Sequence, residues 1–209
     1  MRNLESTRGG IDNQQNIFLQ EVVRVLRSAR IVKFRQLEGG FYDYVMSPIT
    51  DGNILTPRLI WAMGLELLRI LNIEKADYIL VPEAMGIHIG SVMSILSGKP
   101  LVIARKRRYG VEGEIEVVKK TAYGEDRMYI NGLKRGDRVV IADAIIATGG
   151  TLSSLIKALV EHGIQIVDIG VLVEKEELGG VERVLKETGF KVKSVVRIRL
   201  HEGEIIVKY

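Results

Sequence analysis

Apolar runs and segments of helical periodicity alternate along the chain from residue 77 to its end. Five apolar runs have the length and composition of buried strands: DYILVPE, PLVIARK, DRVVIAD, IVDIGVLVEK and VKSVVRIRL. Three segments between them place apolar side chains at helical spacing and end in glycine: GIHIGSVMSILSG, TLSSLIKALVEHG and LGGVERVLKETG. This alternation predicts an α/β fold with a mainly parallel central sheet and helices on both of its faces.

The first third of the chain has a less regular pattern. Apolar side chains at helical spacing in IFLQEVVRVLRSA (17–29) predict an amphipathic helix, and RIVKF after it predicts a short strand. SPITDG (47–52) has the composition of a turn. Pro57 suits the first turn of a further helix, which we expect to run to about residue 71.

A polar segment, residues 107–126, interrupts the alternation of strands and helices. It is rich in charge and contains Gly110, Gly113 and Gly124. A polar insertion of this length in an α/β fold is usually functional or disordered. The short alternation at 114–117 permits a hairpin there without establishing one. We therefore expect a single domain, 1–209, in which 107–126 form a flexible loop and the last two apolar segments can form a terminal hairpin.

Composition and charge narrow the class of protein. The chain has 209 residues, 46% of them apolar, which is enough for one packed domain. No apolar run approaches the ~18–20 residues that cross a bilayer. The N-terminus lacks an apolar signal region, so we expect a cytoplasmic protein. The absence of cysteine excludes disulfides and thiolate chemistry. A net charge of +4 from 30 basic and 26 acidic residues is too balanced for a dedicated nucleic-acid binder and suits a protein with local demands for positive charge, such as phosphate groups. We therefore expect neither nucleic acid nor membrane as a partner.

The most informative stretch is VVIADAIIATGGTL, residues 139–152. It predicts a buried strand, followed by a helix that begins near Thr151, because apolar side chains recur at i, i+3, i+4, i+7 and i+8 from Leu152. Residues 148–151 then lie where a parallel strand ends and a helix begins. Free backbone N–H groups and the helix dipole favour an anion there. Two glycines allow close approach and two threonine hydroxyls add hydrogen bonds, so the turn predicts a phosphate site.

Asp143 interrupts the same strand near its end. Beside a phosphate, a carboxylate is poorly placed unless it holds hydroxyl groups or a metal ion. A ribose 5-phosphate satisfies both demands, with its phosphate on residues 148–151 and its ring hydroxyls on Asp143. The alternative is an ordinary strand-to-helix turn, capped by a threonine and without a ligand.

This stretch resembles the phosphoribosyl pyrophosphate signature of the type I phosphoribosyltransferases. PEAMGI (82–87) resembles the pyrophosphate loop of that family, and RKRRYGVEGE (105–114) resembles the start of its flexible catalytic loop. SPITDG and YINGLKRGDRVVI resemble archaeal hypoxanthine/guanine phosphoribosyltransferases in particular. Together the resemblance covers roughly residues 40–209.

The resemblance implies a fold, a reaction and an assembly. It implies a central mainly parallel sheet with a small hood, which we expect in residues 1–40, and a flexible catalytic loop over the site. The implied reaction moves a phosphoribosyl group from phosphoribosyl pyrophosphate to a purine, with Mg²⁺ as cofactor, in a homodimer. The family also carries a second acid after Asp143, where this chain has Ala144. We therefore expect weaker hold on the hydroxyls or on magnesium, or help from another residue.

The resemblance also implies a role for individual residues. Ribose 5-phosphate is expected on Asp143, Ala147, Thr148, Gly149, Gly150 and Thr151. Pyrophosphate is expected on Glu83, Ala84, Met85, Gly86, Arg105 and Lys106. The expected catalytic residues are Asp143, Lys106 and Tyr123, with Lys106 neutralising the leaving pyrophosphate. Ile145 and Glu174 are expected at the base, although Glu174 serves equally well as a cap for the next helix. No metal ligand is assigned to the protein itself.

The identity of the base depends on two features. Ala147 stands where oxopurine enzymes carry a carboxylate, and Leu178-Gly179-Gly180 resembles a segment of adenine phosphoribosyltransferases. These features favour adenine, with hypoxanthine/guanine as the alternative because of the wider resemblance to the archaeal oxopurine enzymes. A non-catalytic regulator that senses purine or phosphoribosyl pyrophosphate is a further alternative. Such regulators add a DNA-binding domain, whereas here only about 40 residues with one predicted helix precede the matched region.

Overall fold

Strands and helices alternate through most of the chain, as the sequence predicts. The computed structural model describes residues 16–35, 41–51, 54–121 and 124–209. The strands in these residues are β1 (Arg30–Arg35), β2 (Phe41–Met46), β3 (Tyr78–Pro82), β4 (Leu101–Ala104), β5 (Ile115–Thr121), β6 (Gly124–Ile130), β7 (Arg138–Ile146), β8 (Gln165–Lys175), β9 (Lys193–His201) and β10 (Glu204–Lys208). The α-helices are α1 (Ile17–Arg27), α2 (Pro48–Asp51), α3 (Pro57–Ile70), α4 (Met85–Ser97), α5 (Gly150–Glu161) and α6 (Gly180–Thr188).

Six of the strands form the central sheet, in the order β10-β9-β8-β7-β3-β4. Strands β4, β3, β7, β8 and β9 are parallel, and β10 pairs antiparallel with β9 as the predicted terminal hairpin. From β3 the chain moves to β4 on one side, and from β7 it moves to β8 and β9 on the other. The order therefore reverses between β3 and β7. In open α/β sheets, ligands bind beyond the carboxyl ends of the strands at such a point.

Helices cover both faces of the sheet, which confirms the α/β prediction. On one face, α1, α3 and α4 pack with Ile79 and Val81 of β3. On the other face, α5 and α6 pack with Leu80 of the same strand. Neighbouring residues of β3 belong to different cores because successive side chains of a strand point to opposite faces of the sheet. Each fully buried Leu, Ile or Val contributes roughly 1.5–3 kcal/mol, so the two cores hold the strand ends in fixed positions.

The predicted flexible loop, residues 107–126, consists in part of paired strands. β5 and β6 form an antiparallel hairpin that runs from the pair Ile115↔Ile130 to the pair Thr121↔Gly124. Ile115 and Val117 are buried in the same core as α5, because every second side chain of β5 faces that helix. The hairpin also joins the edge of the sheet, since the backbones of Arg105 and Tyr129 exchange hydrogen bonds of 2.9 and 2.7 Å.

A second small sheet, formed by β1 and β2, precedes the central one. The sequence predicted β1 but not β2, and SPITDG contains α2, a single helical turn. Because β2 pairs with β1, the predicted boundary at residue 40 separates two strands of one sheet. The predicted hood also includes residues 1–15, which lie outside the described residues. The small sheet contacts the central sheet through Tyr44 of β2. The Nζ of Lys175, at the end of β8, lies 4.2 Å from the centroid of the Tyr44 ring.

Candidate active site

A cavity of about 380 Å³ lies beyond the carboxyl ends of β3 and β7, where the order of the sheet reverses. Most of the residues predicted for the site line it: Glu83, Ala84, Met85, Lys106, Asp143, Ile145, Ala147, Thr148, Gly149, Gly150 and Thr151. The volume falls in the range of roughly 300–1,000 Å³ that is typical of small-molecule sites. Two strand-end segments that are distant in sequence, 83–85 and 147–151, therefore face one cavity.

Glycines shape the turn at residues 148–151. Gly149 has a φ of +74°, a left-handed conformation that favours glycine, and a Cβ there would lie 2.5 Å from the carbonyl oxygen of Gly180. A Cβ on Gly180 would in turn collide with the carbonyl oxygen of Ala147. The N-terminus of α6 thus packs directly against the turn. This contact requires glycine at position 180, because any side chain there would collide with the turn.

The turn offers several groups that favour an anion. Helix α5 begins at Gly150 without a side-chain cap, since its N-cap residue is Gly149. The amide N–H groups of its first turn and the positive end of its dipole are therefore available to a ligand. The Nζ of Lys119 lies 3.3 Å from Oγ1 of Thr151. The Nη1 of Arg183 lies 3.4 Å from the carbonyl oxygen of Thr148, so cations approach the turn from two directions.

Asp143 lies at the cavity with little support from polar neighbours. Its Oδ1 accepts a hydrogen bond of 2.7 Å from the backbone N–H of Ala144. Burial raises the pKa of the Asp143 carboxyl to about 7, although this hydrogen bond acts in the opposite direction. A carboxyl group with so few partners has hydrogen-bonding capacity left for a ligand. Sugar hydroxyls are suitable donors to its carboxylate form.

The loop from Glu83 to Gly86 connects β3 to α4 at the other side of the cavity. The Oε1 of Glu83 accepts a hydrogen bond of 2.7 Å from the backbone N–H of Lys106, and the peptide bond between Glu83 and Ala84 is cis. Helix α4 begins at Met85 without a side-chain cap. Gly86 faces away from the cavity, because a Cβ there would lie 2.9 Å from Cβ of Val81. The absence of a side chain allows α4 to pack closely on the sheet, and the prediction that the backbone amide of Gly86 binds pyrophosphate stays a prediction.

The two basic residues predicted for pyrophosphate have different positions. Lys106 lines the cavity, and its backbone is held by Glu83. Arg105 is exposed and is not among the residues that line the cavity, and its backbone pairs with that of Tyr129. The prediction for Arg105 therefore needs correction, whereas that for Lys106 agrees with the geometry.

Glu174 does not reach this cavity, contrary to the position predicted for a base-binding residue. It lies next to the last residue of β8, a strand on the far side of β7 from β3, and its carboxylate faces a separate cavity. Its Oε2 accepts a hydrogen bond of 2.6 Å from Ser194 Oγ and lies 3.6 Å from Nε of Arg197. These contacts give the buried carboxylate a structural explanation. Tyr123, the third predicted catalytic residue, lies outside the described residues.

The hairpin β5–β6 contributes lining residues that the sequence did not predict for the site. They are Lys119, Asp126, Arg127 and Met128. The alternation of side chains along β5 could have indicated an inward position for Lys119, because it shares one side of the strand with Ile115 and Val117. The sequence alone did not show that this side faces the turn at 148–151.

Comparison with known proteins identifies the family. A family model for the phosphoribosyl transferase domain matches residues 65–201, which is more than half of the chain. The chain belongs to the phosphoribosyltransferase family. This confirms the resemblance found in the sequence.

Curated phosphoribosyltransferases match most of the chain. The hypoxanthine/guanine phosphoribosyltransferase of Methanocaldococcus infernus is 42% identical over 173 residues, which cover 82% of this chain and 93% of that protein. The enzyme of the same name from Methanopyrus kandleri is 44% identical over 167 residues, covering 79% of this chain and 88% of that protein. Both matches span nearly the full length of the relatives.

Solved structures with this fold include enzymes of a different name. Adenine phosphoribosyltransferase from Thermoanaerobacter pseudethanolicus has a TM-score of 0.66 and 24% identity, covering 86% of this chain and 99% of that one. The adenine enzyme of Trypanosoma brucei, solved with AMP, pyrophosphate and ribose-5-phosphate, has a TM-score of 0.65 and 18% identity, covering 88% and 81%. At these identities the likeness establishes the fold.

The phosphoribosyltransferase departs from the family pattern at Ala144. This side chain is fully buried in the core on the side of α3 and α4. Asp143 is therefore the one carboxylate that strand β7 contributes to the cavity. Within the described residues, no group of three or more His, Cys, Asp or Glu side chains is arranged to hold a metal ion. In the same residues, no helix is long and apolar enough to span a membrane.

Proposed function

We propose that this phosphoribosyltransferase transfers the 5-phosphoribosyl group of phosphoribosyl pyrophosphate to adenine, releasing AMP and pyrophosphate. The observation that carries the proposal is the single cavity lined by the turn 147–151, Asp143, the loop 83–85 and Lys106. An anion site at each side, with a carboxylate between them, suits a ribose that carries phosphate groups at both ends.

The 5′-phosphate is assigned to the turn at residues 148–151. The uncapped N-terminus of α5, the two hydroxyls of Thr148 and Thr151, and the left-handed Gly149 support this assignment. Asp143 then accepts hydrogen bonds from the ribose hydroxyls. Ala147 and Ile145 line the cavity beside it and supply apolar contact for the sugar and the base.

The pyrophosphate is assigned to the loop 83–85 and Lys106. The uncapped N-terminus of α4 supplies N–H groups, and the hydrogen bond from Lys106 to Glu83 fixes the lysine backbone beside them. As the bond to C1 of the ribose breaks, negative charge grows on the leaving pyrophosphate and positive charge on the ring. Lys106 stabilises the first of these charges, and this is its proposed catalytic role.

Magnesium is compatible with this donor set. Mg²⁺ is usually held by one or two carboxylates together with the phosphates of a substrate, so Asp143 suffices as the protein's contribution. When bound, the ion would neutralise charge on the leaving pyrophosphate. Asp143, with its unused hydrogen-bonding capacity, is the residue that would hold it.

Adenine is proposed as the base because no carboxylate occupies position 147. Oxopurine enzymes of the family carry one there, and the alanine of this chain matches the adenine type. Hypoxanthine or guanine is the second candidate, favoured by relatives that are 42% and 44% identical and bear that name. Transfer of the phosphoribosyl group to any of these bases would distinguish both candidates from a non-catalytic regulator.

The test compares adenine, hypoxanthine and guanine as substrates with phosphoribosyl pyrophosphate and Mg²⁺. We expect the highest kcat/KM with adenine, with AMP as the product. A higher kcat/KM for hypoxanthine or guanine would select the second candidate. Absence of a nucleotide product with all three bases would contradict the enzyme assignment.

A homodimer is also proposed, on the family resemblance and on apolar side chains at the surface. Trp61 of α3 keeps 45% of its surface exposed and Ile54 keeps 85%. Burial of these groups against a second copy would remove apolar surface from water. Sedimentation equilibrium should give twice the 23.4 kDa mass of one chain. A monomer at all concentrations would contradict this proposal and leave the assignment of the cavity unchanged.

A further inference from the structure

Lys119 occupies an unusual position for a lysine, in line with two buried apolar side chains. Ile115 is 3% exposed and Val117 is fully buried, and both pack in the core that contains α5. Lys119 is the next residue on the same side of β5, because side chains alternate along a strand. The hairpin thus directs this lysine toward the N-terminal end of α5, instead of toward solvent.

The lysine side chain lies directly against the turn at residues 148–151. Its Nζ is 3.3 Å from Oγ1 of Thr151. Its Cε would lie 3.3 Å from a Cβ at Gly150, so the missing side chain of that glycine leaves room for the lysine. The contact therefore depends on residues from both segments, β5 and the turn.

In the part of the chain that the structure describes, no carboxylate lies within ion-pair distance of Lys119, although Asp126 is its cross-strand partner in the hairpin and lines the same cavity. The ammonium group of Lys119 donates a hydrogen bond to the neutral hydroxyl of Thr151. The other two cations nearby differ in this respect. Arg127 is paired with Glu116 and Glu125 at 2.5 and 2.6 Å. Arg183 is paired with Glu187 at 2.6 Å. A phosphate monoester carries a charge of about −1.5 to −2 and would match the remaining positive charge.

We propose that Lys119 is a direct ligand of the 5′-phosphate, so that the hairpin β5–β6 completes the phosphate site. This inference rests on the proposed function, since it requires a sugar phosphate on the turn at 148–151. The ammonium group of Lys119 donates a hydrogen bond to a phosphate oxygen, and the neighbouring hydroxyl of Thr151 donates another. The two halves of the cavity then depend on different lysines, Lys119 for the 5′-phosphate and Lys106 for pyrophosphate.

Calorimetric titration of the full chain with ribose 5-phosphate and, separately, with pyrophosphate tests this division. Lys119→Met should lower the affinity for ribose 5-phosphate about 10–100-fold, which is the usual effect of losing one charge-assisted hydrogen bond. The affinity for pyrophosphate should stay nearly unchanged. Lys119→Arg keeps a charged donor and should retain most of the affinity for ribose 5-phosphate. Lys134→Met is the matched control, because it removes one exposed positive charge away from the cavity.

Three results would overturn the inference, and they differ in what they say about the proposed function. Equal binding of ribose 5-phosphate by the wild type and Lys119→Met would remove the role of Lys119 and leave the proposed site intact. An equal loss of affinity for both ligands, with a lower Tm, would show that Lys119 only holds the hairpin in place. Failure of the wild-type protein to bind ribose 5-phosphate would overturn the inference together with the phosphate site of the proposed function.

Discussion

The two anion sites of the cavity are built in different ways. Packing encloses the turn at residues 148–151. Gly180 of α6 contacts the turn at Gly149, and the hairpin contacts it at Thr151. The pyrophosphate side has less enclosure. Residues 105–108 are all exposed, and one hydrogen bond, from Lys106 to Glu83, links them to the loop 83–86. Close packing of the backbone therefore shapes the first site, to which Lys119 adds a charge, whereas the second site combines the uncapped N-terminus of α4 with the exposed Lys106.

This difference has a functional consequence. A site shaped by close packing is complete before its ligand binds, which suits the part of the substrate that stays bound throughout the reaction. A site made of exposed charges responds to the charge that develops as pyrophosphate leaves. Substitutions of the glycines at the enclosed site should therefore act through shape, and substitution of Lys106 at the exposed site through charge.

Gly149→Ala should give the largest effect. A Cβ at this position combines left-handed backbone with a collision 2.5 Å from the carbonyl oxygen of Gly180. We expect kcat/KM to fall by about 100-fold or more, which corresponds to about 2.7 kcal/mol or more. The measurement is steady-state kinetics with phosphoribosyl pyrophosphate as the varied substrate.

Gly132→Ala provides the matched control for backbone strain. Gly132 has a φ of +89°, but a Cβ there meets nothing within 4 Å. This variant should lose about 1 kcal/mol of folding free energy through the left-handed backbone and keep its activity. Equal loss of activity in both variants would show that the packing at Gly149 has no special part in the site.

Asp143→Asn should have the next largest effect. It keeps the size of the side chain but removes the charge that accepts hydrogen bonds from the ribose hydroxyls. We expect a loss of about 10–100-fold in kcat/KM for phosphoribosyl pyrophosphate. Unchanged kinetics would show that Asp143 does not contact the substrate.

Lys106→Met should lower kcat about 10-fold with a smaller effect on KM, because the charge acts mainly on the leaving pyrophosphate. Arg108→Met is a suitable control, since Arg108 lies in the same exposed segment and does not line the cavity. A change in Tm without a change in kcat would assign Lys106 a structural role only.

Stability should depend on pH through Asp143. Its pKa is raised by burial from the ordinary 3.8 to about 7, so between these values the folded protein keeps a proton that the unfolded chain has released. The contribution of Asp143 to the free energy of unfolding is therefore most favourable below pH 4, and it decreases as the pH rises toward 7. We expect a contribution on the order of 1–2 kcal/mol, since the side chain keeps contact with the solvent in the cavity. Asp143→Asn should remove this decrease in denaturant titrations from pH 4 to 8, and an identical pH profile would contradict the raised pKa.

The sequence was sufficient to predict the central sheet and the residues at its strand ends. Asp143 and residues 148–151 could be placed because strand, turn and helix are contiguous, and their geometry follows from local periodicity. Lys106 could be placed because it follows the end of β4, a strand of the same sheet. These predictions required only the rule that the carboxyl ends of parallel strands meet at one edge.

Features that depend on contacts between distant segments were not predicted. Glu174 also ends a parallel strand, but the order of the sheet puts β8 on the far side of β7 from β3. Lys119 and Gly180 act through contacts with residues about 30 positions away, to Thr151 and Ala147, and no local pattern specifies them. Local periodicity thus determined the strand ends, whereas lateral order and close packing required the structure.

A crystal structure of the complex with the 5′-nucleotide product tests the central claim most directly. The claim predicts that the 5′-phosphate lies within about 2.7–3.2 Å of the backbone nitrogens of residues 149–151, with the ribose hydroxyls on Asp143. A 5′-phosphate bound at the loop 83–86, or outside the cavity with the turn at 148–151 free of ligand, would contradict it.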